Sequence, residues 1–105
     1  MLIKKKQSMD VRVHKIPSKH MSSATVFING RHPEQGMTAN MKCEEIYYVI
    51  SGSGVIHTEA ESCELVGGDM YFIPQKTKYY VEGKNLEIIT VMSPKWTPTQ
   101  AKKFL

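Results

Sequence analysis

Short apolar stretches recur along the 105-residue chain, and most of them are bounded by Gly, Pro, Ser or Asn. In Met9–Ile16, for example, Val11 and Val13 alternate with Arg12 and His14. A period of two in the apolar positions is typical of a half-buried β-strand. The stretches that we predict to be strands are Met9–Ile16, Ala24–Ile28, Glu45–Ile50, Gly54–Thr58, Glu64–Val66, Met70–Ile73, Lys78–Val81 and Leu86–Met92.

The segments between these stretches contain residues that tolerate a positive φ angle, as tight antiparallel connections require. They are Asn29–Gly30, Ser51–Gly54, Gly67–Asp69 and Glu82–Asn85. In the C-terminal tail, Thr97 and Pro98 are a typical N-cap and first helical residue, so we predict a short helix there. The chain therefore indicates one all-β domain: a basic N-terminal segment with a strand (1–22), a β-barrel (23–93) and a helical tail (94–105).

Composition is that of an ordinary soluble domain, with 41% hydrophobic and 23% charged residues. No apolar run approaches the ~20 residues that span a bilayer, and no apolar stretch of a signal peptide follows the basic run Lys4–Lys6. The two cysteines, Cys43 and Cys63, are too few for a disulfide scaffold. We therefore expect a cytoplasmic protein with no membrane partner.

The net charge of +4 is concentrated at one end of the chain. Residues 1–20 contain six Lys or Arg and one Asp, whereas the other residues contain eight basic and nine acidic side chains. A nucleic-acid-binding domain spreads its positive charge over a folded face. We therefore expect no nucleic-acid partner.

Two motifs give the chain a family resemblance. Glu45–Gly54 (EIYYVISGSG) resembles the first conserved motif of the cupin superfamily, and Gly68–Pro74 (GDMYFIP) is similar to the start of the second. The resemblance covers residues 24–92 and implies a double-stranded β-helix, which is a small jelly-roll barrel open at one end and commonly homodimeric. We expect a homodimer, with Met9–Ile16 as a candidate for pairing with the partner subunit.

The resemblance also implies where a metal would bind, because cupins usually hold a divalent metal with two His and a Glu of the first motif and a His of the second. In this chain the matching positions hold Glu45, Tyr79 and either Thr38 with Asn40 or Ala39 with Met41, depending on the register of the first motif. Three of the four expected ligands are absent, so we predict no cofactor. The alternative is a divalent metal held by Glu45 and a recruited His57.

Without a metal, the barrel would bury Glu45 as an unpaired carboxyl group, which is costly unless it is protonated or hydrogen-bonded. We therefore hypothesise that Glu45, Tyr79 and Asn40 form a polar cluster at the base of an apolar cavity. Glu45 and Tyr79 are the candidate catalytic residues. The candidate ligand-binding residues are Thr38, Asn40, Met41, Tyr47 and His57.

These residues predict binding of a small polar metabolite, sugar-like or sugar-phosphate-like, because the first motif is similar to that of cupins related to sugar-phosphate isomerases. A carboxyl group and a phenol in one cavity suit metal-independent acid–base chemistry, as in an isomerase, epimerase or lyase. Two alternatives stay open at this point. One is a metal-dependent cupin enzyme with non-standard ligands, and the other is a non-catalytic sensor or dimeric binding module.

Overall fold

The computed structural model describes residues 3–5 and 9–105, with side chains from Met9 onward. The side chains of the basic run Lys4–Lys6 lie outside the described residues. The strands are β1 (Ile3–Lys5), β2 (Met9–His14), β3 (Ser22–His32), β4 (Met37–Asn40), β5 (Glu44–Thr58), β6 (Ser62–Val66), β7 (Met70–Ile73), β8 (Tyr79–Ser93) and β9 (Ala101–Phe104). The only helical element in the described ranges is a 3-10 turn, Pro98–Gln100. The predicted all-β fold is confirmed.

The described strands form one antiparallel sheet that curls into a barrel. Part of the sheet has the order β1-β2-β3-β8-β4-β9, and β5 joins it by pairing with β8. Strands β5 and β8 run side by side from the pair Glu44–Ser93 to the pair Thr58–Tyr79. The other edge of β5 pairs with β7 and β6, and that of β8 pairs with β3 and β4. These two 15-residue strands therefore connect the whole barrel.

Three of the predicted turns are instead irregular segments inside long strands. Asn29–Gly30 lies within β3, Ser51–Gly54 within β5 and Glu82–Asn85 within β8, so the prediction that strands end at these segments was wrong. Gly54 and Gly83 face each other across the two strands, and a Cβ at Gly54 would lie 2.6 Å from the carbonyl oxygen of Glu82. The glycines permit this close approach directly after the segment, between Val49 and Ser53, in which the paired strands change register.

The tail is helical for one turn only. Thr97 and Pro98 start the 3-10 turn as predicted, but the residues after Gln100 form β9, which pairs with β4. The helical prediction was wrong for β9, since one or two helical turns are marginal alone and the free edge of β4 offers hydrogen bonds. The Gln100 side chain is buried, and its Oε1 accepts a hydrogen bond from the backbone N–H of Cys43 (2.9 Å).

Alternation along β5 decides which side chains enter the barrel. Glu45, Tyr47 and Val49 are buried, whereas the residues between them face outward. The most deeply buried apolar side chains are Ile28, Val49, Ile56, Leu65, Val81, Leu86 and Ile88. Glu45 is thus a carboxyl group at an inward position of a core strand. Among the residues described, no helix has the length and apolar character needed to pass through a lipid bilayer.

Candidate functional site

A cavity of about 850 Å³ lies inside the barrel beside this core. Its wall is largely apolar and is contributed mainly by β2 and β3, with Met9, Val11, Ala24, Val26 and Ile28 among the lining residues. The inward side chains of β5 and β8 add Glu45, Tyr47, Tyr79 and Thr90. Because Glu45 is only 5% exposed, it marks the buried end of the cavity.

Three side chains donate hydrogen bonds to the Glu45 carboxyl group. Asn40 Nδ2 donates to Oε1 over 3.0 Å, and the Tyr79 hydroxyl donates to the same oxygen over 3.4 Å. The Thr90 hydroxyl donates to Oε2. The structure thus brings together Glu45, Tyr79 and Asn40, the three residues of the hypothesised polar cluster, and adds Thr90 to them.

A further hydrogen bond fixes the direction of the Asn40 amide. Trp96 Nε1 donates to Asn40 Oδ1 over 3.0 Å. An indole N–H can only donate, so the amide oxygen must face Trp96 and the amide NH₂ must face Glu45. Trp96 therefore determines that Asn40 supports a negative charge on Glu45.

Burial raises the pKa of Glu45 from its ordinary value of 4.5 to about 7. The hydrogen bonds from Thr90, Tyr79 and Asn40 favour the charged form and act in the opposite direction, but the loss of hydration outweighs them. A carboxyl group with this pKa is present in both protonation states near neutral pH. Glu45 can therefore either accept or release a proton there.

The two buried tyrosines extend the polar cluster. The Tyr47 hydroxyl donates to the Tyr79 hydroxyl over 3.4 Å, and the two rings meet edge to face with centroids 6.3 Å apart. Burial and the nearby Glu45 raise the pKa of both phenols well above 10. Both tyrosines therefore stay protonated at neutral pH, and their hydroxyls form a chain of donors that ends at Glu45.

The cavity distinguishes the two registers of the first motif. Thr38 and Asn40 line the cavity, and the Thr38 hydroxyl also donates to the carbonyl oxygen of Lys102 over 3.3 Å. Ala39 is fully buried in the opposite direction along β4, and Met41 does not line the cavity. The register with Thr38 and Asn40 is therefore the one that faces the cavity, because β4 turns alternate residues to opposite sides.

His57 lies away from the cavity. Its Nδ1 is 2.7 Å from the Ser62 hydroxyl, its Nε2 is 2.7 Å from Glu82 Oε1, and its ring stacks on Tyr80. The structure thus places His57 outside the cavity lining, since these outer partners hold the imidazole on another part of β5.

Sequence reasoning missed two members of the cluster. Thr90 follows Leu86 and Ile88 at inward positions of β8, so a hydroxyl residue interrupting a period-two apolar pattern was a usable signal. Trp96 lies beyond the barrel strands, after Pro94, and carries no local pattern that would direct it to Asn40.

The donor set does not suit the divalent metal that the fold family usually binds. Protein donors engage both oxygens of Glu45, and Asn40 presents its NH₂ rather than its oxygen. Nor do the residues described here contain any group of three His, Cys, Asp or Glu side chains that could hold an ion. The described side chains therefore do not supply the ligand set of a divalent metal in this cavity.

Comparison with known proteins supports the fold. No protein-family model matches the sequence, and no curated protein matches it. Among solved structures, the nucleoside dehydratase Pac13 matches with a TM-score of 0.87 at 19% identity, over 98% of this chain and 83% of that chain. A Streptomyces Pac13 variant with uridine has a TM-score of 0.88 at 19% identity, over the same shares of the two chains.

Two further structures have the same architecture. Ectoine synthase from P. lautus has a TM-score of 0.78 at 17% identity, over 98% of this chain and 80% of that chain. KdgF from Halomonas sp. has a TM-score of 0.74 at 16% identity, over 91% and 90%. These neighbours are cupin-fold proteins, so the barrel is the double-stranded β-helix that the two motifs predicted.

Proposed function

We propose that this cupin-fold chain binds a small polar metabolite in its barrel and that Glu45 exchanges a proton with it, in a metal-independent isomerase, epimerase or lyase reaction. The observation that carries the proposal is a carboxyl group at the buried end of an apolar cavity, held by three donors and with a pKa of about 7. General acid–base catalysis is most efficient when the pKa of the group lies near the working pH.

The hydrogen bonds direct the proton to one oxygen of Glu45. An ionised carboxylate has about four acceptor positions, two on each oxygen. Asn40 and Tyr79 occupy both positions of Oε1, whereas Thr90 occupies one position of Oε2. The free position on Oε2 is therefore where a substrate proton is taken up. The Thr90 hydroxyl can rotate from donor to acceptor when Oε2 becomes protonated.

Tyr79 serves this chemistry as a positioning residue. Its hydroxyl contacts Oε1, and its raised pKa keeps it a donor rather than a proton acceptor at neutral pH. Tyr79 therefore holds the carboxyl group in place and stabilises its charged form, while Glu45 carries the proton.

Of the isomerase, epimerase and lyase reactions proposed, the structural similarity to Pac13 favours a lyase reaction. Pac13 is a nucleoside dehydratase, and a dehydration is an acid–base elimination in which one proton is removed and water leaves. The likeness is one of fold at 19% identity, so the reacting groups here are inferred from Glu45 and its donors rather than from Pac13. Uridine nevertheless becomes a useful first probe.

The alternative of a metal-dependent enzyme has little support from the geometry. His57, the imidazole that would be recruited as a metal ligand, forms hydrogen bonds with Glu82 and Ser62 outside the cavity. Metal analysis of the purified protein tests this alternative. A stoichiometric transition metal that is lost in Glu45→Gln would contradict the metal-free proposal.

The proposed reaction is tested by screening sugars, sugar phosphates, small acids and uridine for thermal stabilisation, and then following each stabilising compound by NMR for conversion. We expect Glu45→Gln to lower the turnover by roughly 100-fold or more, which is typical for the loss of a general acid–base residue. Glu44→Gln is the matched control, because Glu44 is its exposed neighbour on β5 and points outward.

Two results would contradict the proposed reaction. Turnover that is equal in Glu45→Gln and Glu44→Gln would remove Glu45 from the chemistry. A stabilising ligand that is recovered unchanged under all conditions would instead identify a binding module, since binding alone raises stability.

A further inference from the structure

Exposed lysines line the cavity. Lys15 follows β2, Lys95 follows β8, and Lys103 lies on β9, opposite Thr38 of β4. The neighbouring Lys102 points to the other side of β9, because it pairs with Ala39 and its Nζ lies 5.4 Å from the centroid of the Phe104 ring. Lys15, Lys95 and Lys103 are exposed, in contrast to the deeply buried Glu45. Of the residues described as lining the cavity, Glu45 is the sole acidic one. The cavity is thus polarised, with an acid at its closed end and cations at its open end.

Among the described residues, no carboxylate forms an ion pair with these lysines. The ion pair found among the described residues joins His57 to Glu82, and neither residue lines the cavity. An anion bound in the cavity would be attracted by the ammonium groups of these lysines. Each lysine can also donate charge-assisted hydrogen bonds to phosphate or carboxylate oxygens.

We propose that Lys15, Lys95 and Lys103 form an anion subsite, which makes the ligand of the barrel a small metabolite with a terminal phosphate or carboxylate group. This inference rests on the proposed function, because it places the uncharged reacting end of the same ligand at Glu45.

The rest of the cavity fits such a ligand. Apolar side chains such as Val11, Val26 and Ile28 line the same cavity as the lysines and the acid, so much of the ligand needs little polarity. A volume of about 850 Å³ is within the range of roughly 300–1,000 Å³ that is usual for small-molecule sites. The layout also keeps the ligand's negative charge away from Glu45, where it would oppose ionisation of the carboxyl group.

The probes for this subsite are inorganic phosphate and three hexoses that share a ring: glucose, glucuronate and glucose 6-phosphate. Their binding is measured by calorimetry at low and high ionic strength. We expect inorganic phosphate and at least one anionic hexose to bind at low salt, with the anionic hexose binding roughly tenfold or more tightly than glucose. This advantage should shrink as salt is added, because the Debye length falls from ~10 Å at 0.1 M to ~3 Å at 1 M.

A pair of double variants separates the subsite from overall charge. Lys95→Gln with Lys103→Gln removes two cavity cations, whereas Lys19→Gln with Lys42→Gln removes two exposed cations that do not line the cavity. Both double variants change the net charge equally. We expect the cavity pair to weaken anion binding roughly tenfold or more and the control pair to leave it unchanged.

The outcomes separate this inference from the proposed function. It is overturned if neither inorganic phosphate nor an anionic hexose binds at low salt, or if both double variants weaken binding equally. A preference for glucose 6-phosphate over glucuronate, or the reverse, supports the subsite and identifies the group that it holds. Glu45→Gln should retain binding of inorganic phosphate, so a failure of the acid–base proposal would leave lysine-dependent anion binding intact.

Discussion

At the scale of single residues, Glu45 shows that burial can outweigh hydrogen bonding. Three donors favour its ionised form, yet its pKa is raised because almost no water reaches it. The same balance keeps Tyr47 and Tyr79 protonated. The local sequence offers the donors, but the barrel decides the protonation state.

The raised pKa of Glu45 predicts a pH-dependent stability. Between pH 4.5 and about 7, folded Glu45 keeps a proton that the unfolded chain has released, so the free energy of unfolding should fall as pH rises through this range. The full difference corresponds to about 3 kcal/mol. Urea unfolding at pH 5 and pH 8 should show this slope, and Glu45→Gln should reduce it.

Glu44→Gln is again the control, and it should keep the slope of the parent protein because Glu44 lies exposed on the outside of β5. Equal slopes in the parent and in Glu45→Gln would mean that Glu45 titrates as an exposed carboxyl group does.

At the scale of elements, the glycines of β5 and β8 set the curvature of the barrel. Gly52 has a φ of +78°, and a Cβ there would overlap the carbonyl oxygen of Asn85 on β8. Gly54 and Gly83 pair directly beside it. The barrel therefore bends where two glycine-containing segments meet.

Gly52→Ala should destabilise the protein more than Gly68→Ala does. Gly68 also has a positive φ, +94°, but no atom lies within 4 Å of the position of its added Cβ. Gly68→Ala therefore measures the free-energy cost of a positive φ alone, without a steric clash. We expect Gly68→Ala to cost about 1 kcal/mol and Gly52→Ala at least about 1 kcal/mol more, because β8 must also move. Urea unfolding measures both, and equal losses would contradict a close approach at Gly52.

The sequence predicted the strands by their alternation but misplaced some of their ends. Gly-rich segments look alike in a turn and in a bent strand, because both need positive φ or a missing Cβ. Ser51–Gly54 could therefore be recognised as special but not as part of β5. Only pairing with a distant strand separates the two cases.

The candidate site was predictable to a similar extent. Glu45, Asn40 and Tyr79 could be found because the cupin motifs fix their positions along the chain. Thr90 left a weak signal in the pattern of β8, whereas the contact of Trp96 with Asn40 joins residues that are far apart in sequence. Lys103 of the proposed anion subsite likewise lies beside the cavity only because β9 pairs with β4.

At the scale of the whole molecule, one outer face of the barrel is apolar. We call it the outer face, and it consists of exposed side chains from β5, β7 and β8: Ile46, Tyr48, Ile50, Met70, Phe72 and Val91. Ile46 pairs with Phe72 on one side and with Val91 on the other, so these side chains adjoin. Apolar patches of this kind mark interaction sites.

The homodimer expected from the sequence stays a prediction. Strand pairing between subunits through β2 loses support, because β1 pairs with the edge of β2 from Asp10 to Arg12.

We propose that a second copy of the chain covers the outer face instead. Sedimentation should then show a dimer that Phe72→Glu dissociates by burying a charge. Phe27→Glu is the control, because Phe27 is also exposed but lies on β3, which β8 separates from β5. A monomeric parent protein would refute the proposal.

The bond between Trp96 and Asn40 has a consequence for how this architecture can be reused. If Glu45, Asn40, Tyr79 and Thr90 were transplanted into another barrel without Trp96, the Asn40 amide would be free to flip. In the flipped orientation its carbonyl oxygen would face the Glu45 carboxyl group and oppose a negative charge there. The stretch that follows β8 must therefore accompany the barrel strands in any graft or chimera that is meant to keep the acidity of Glu45.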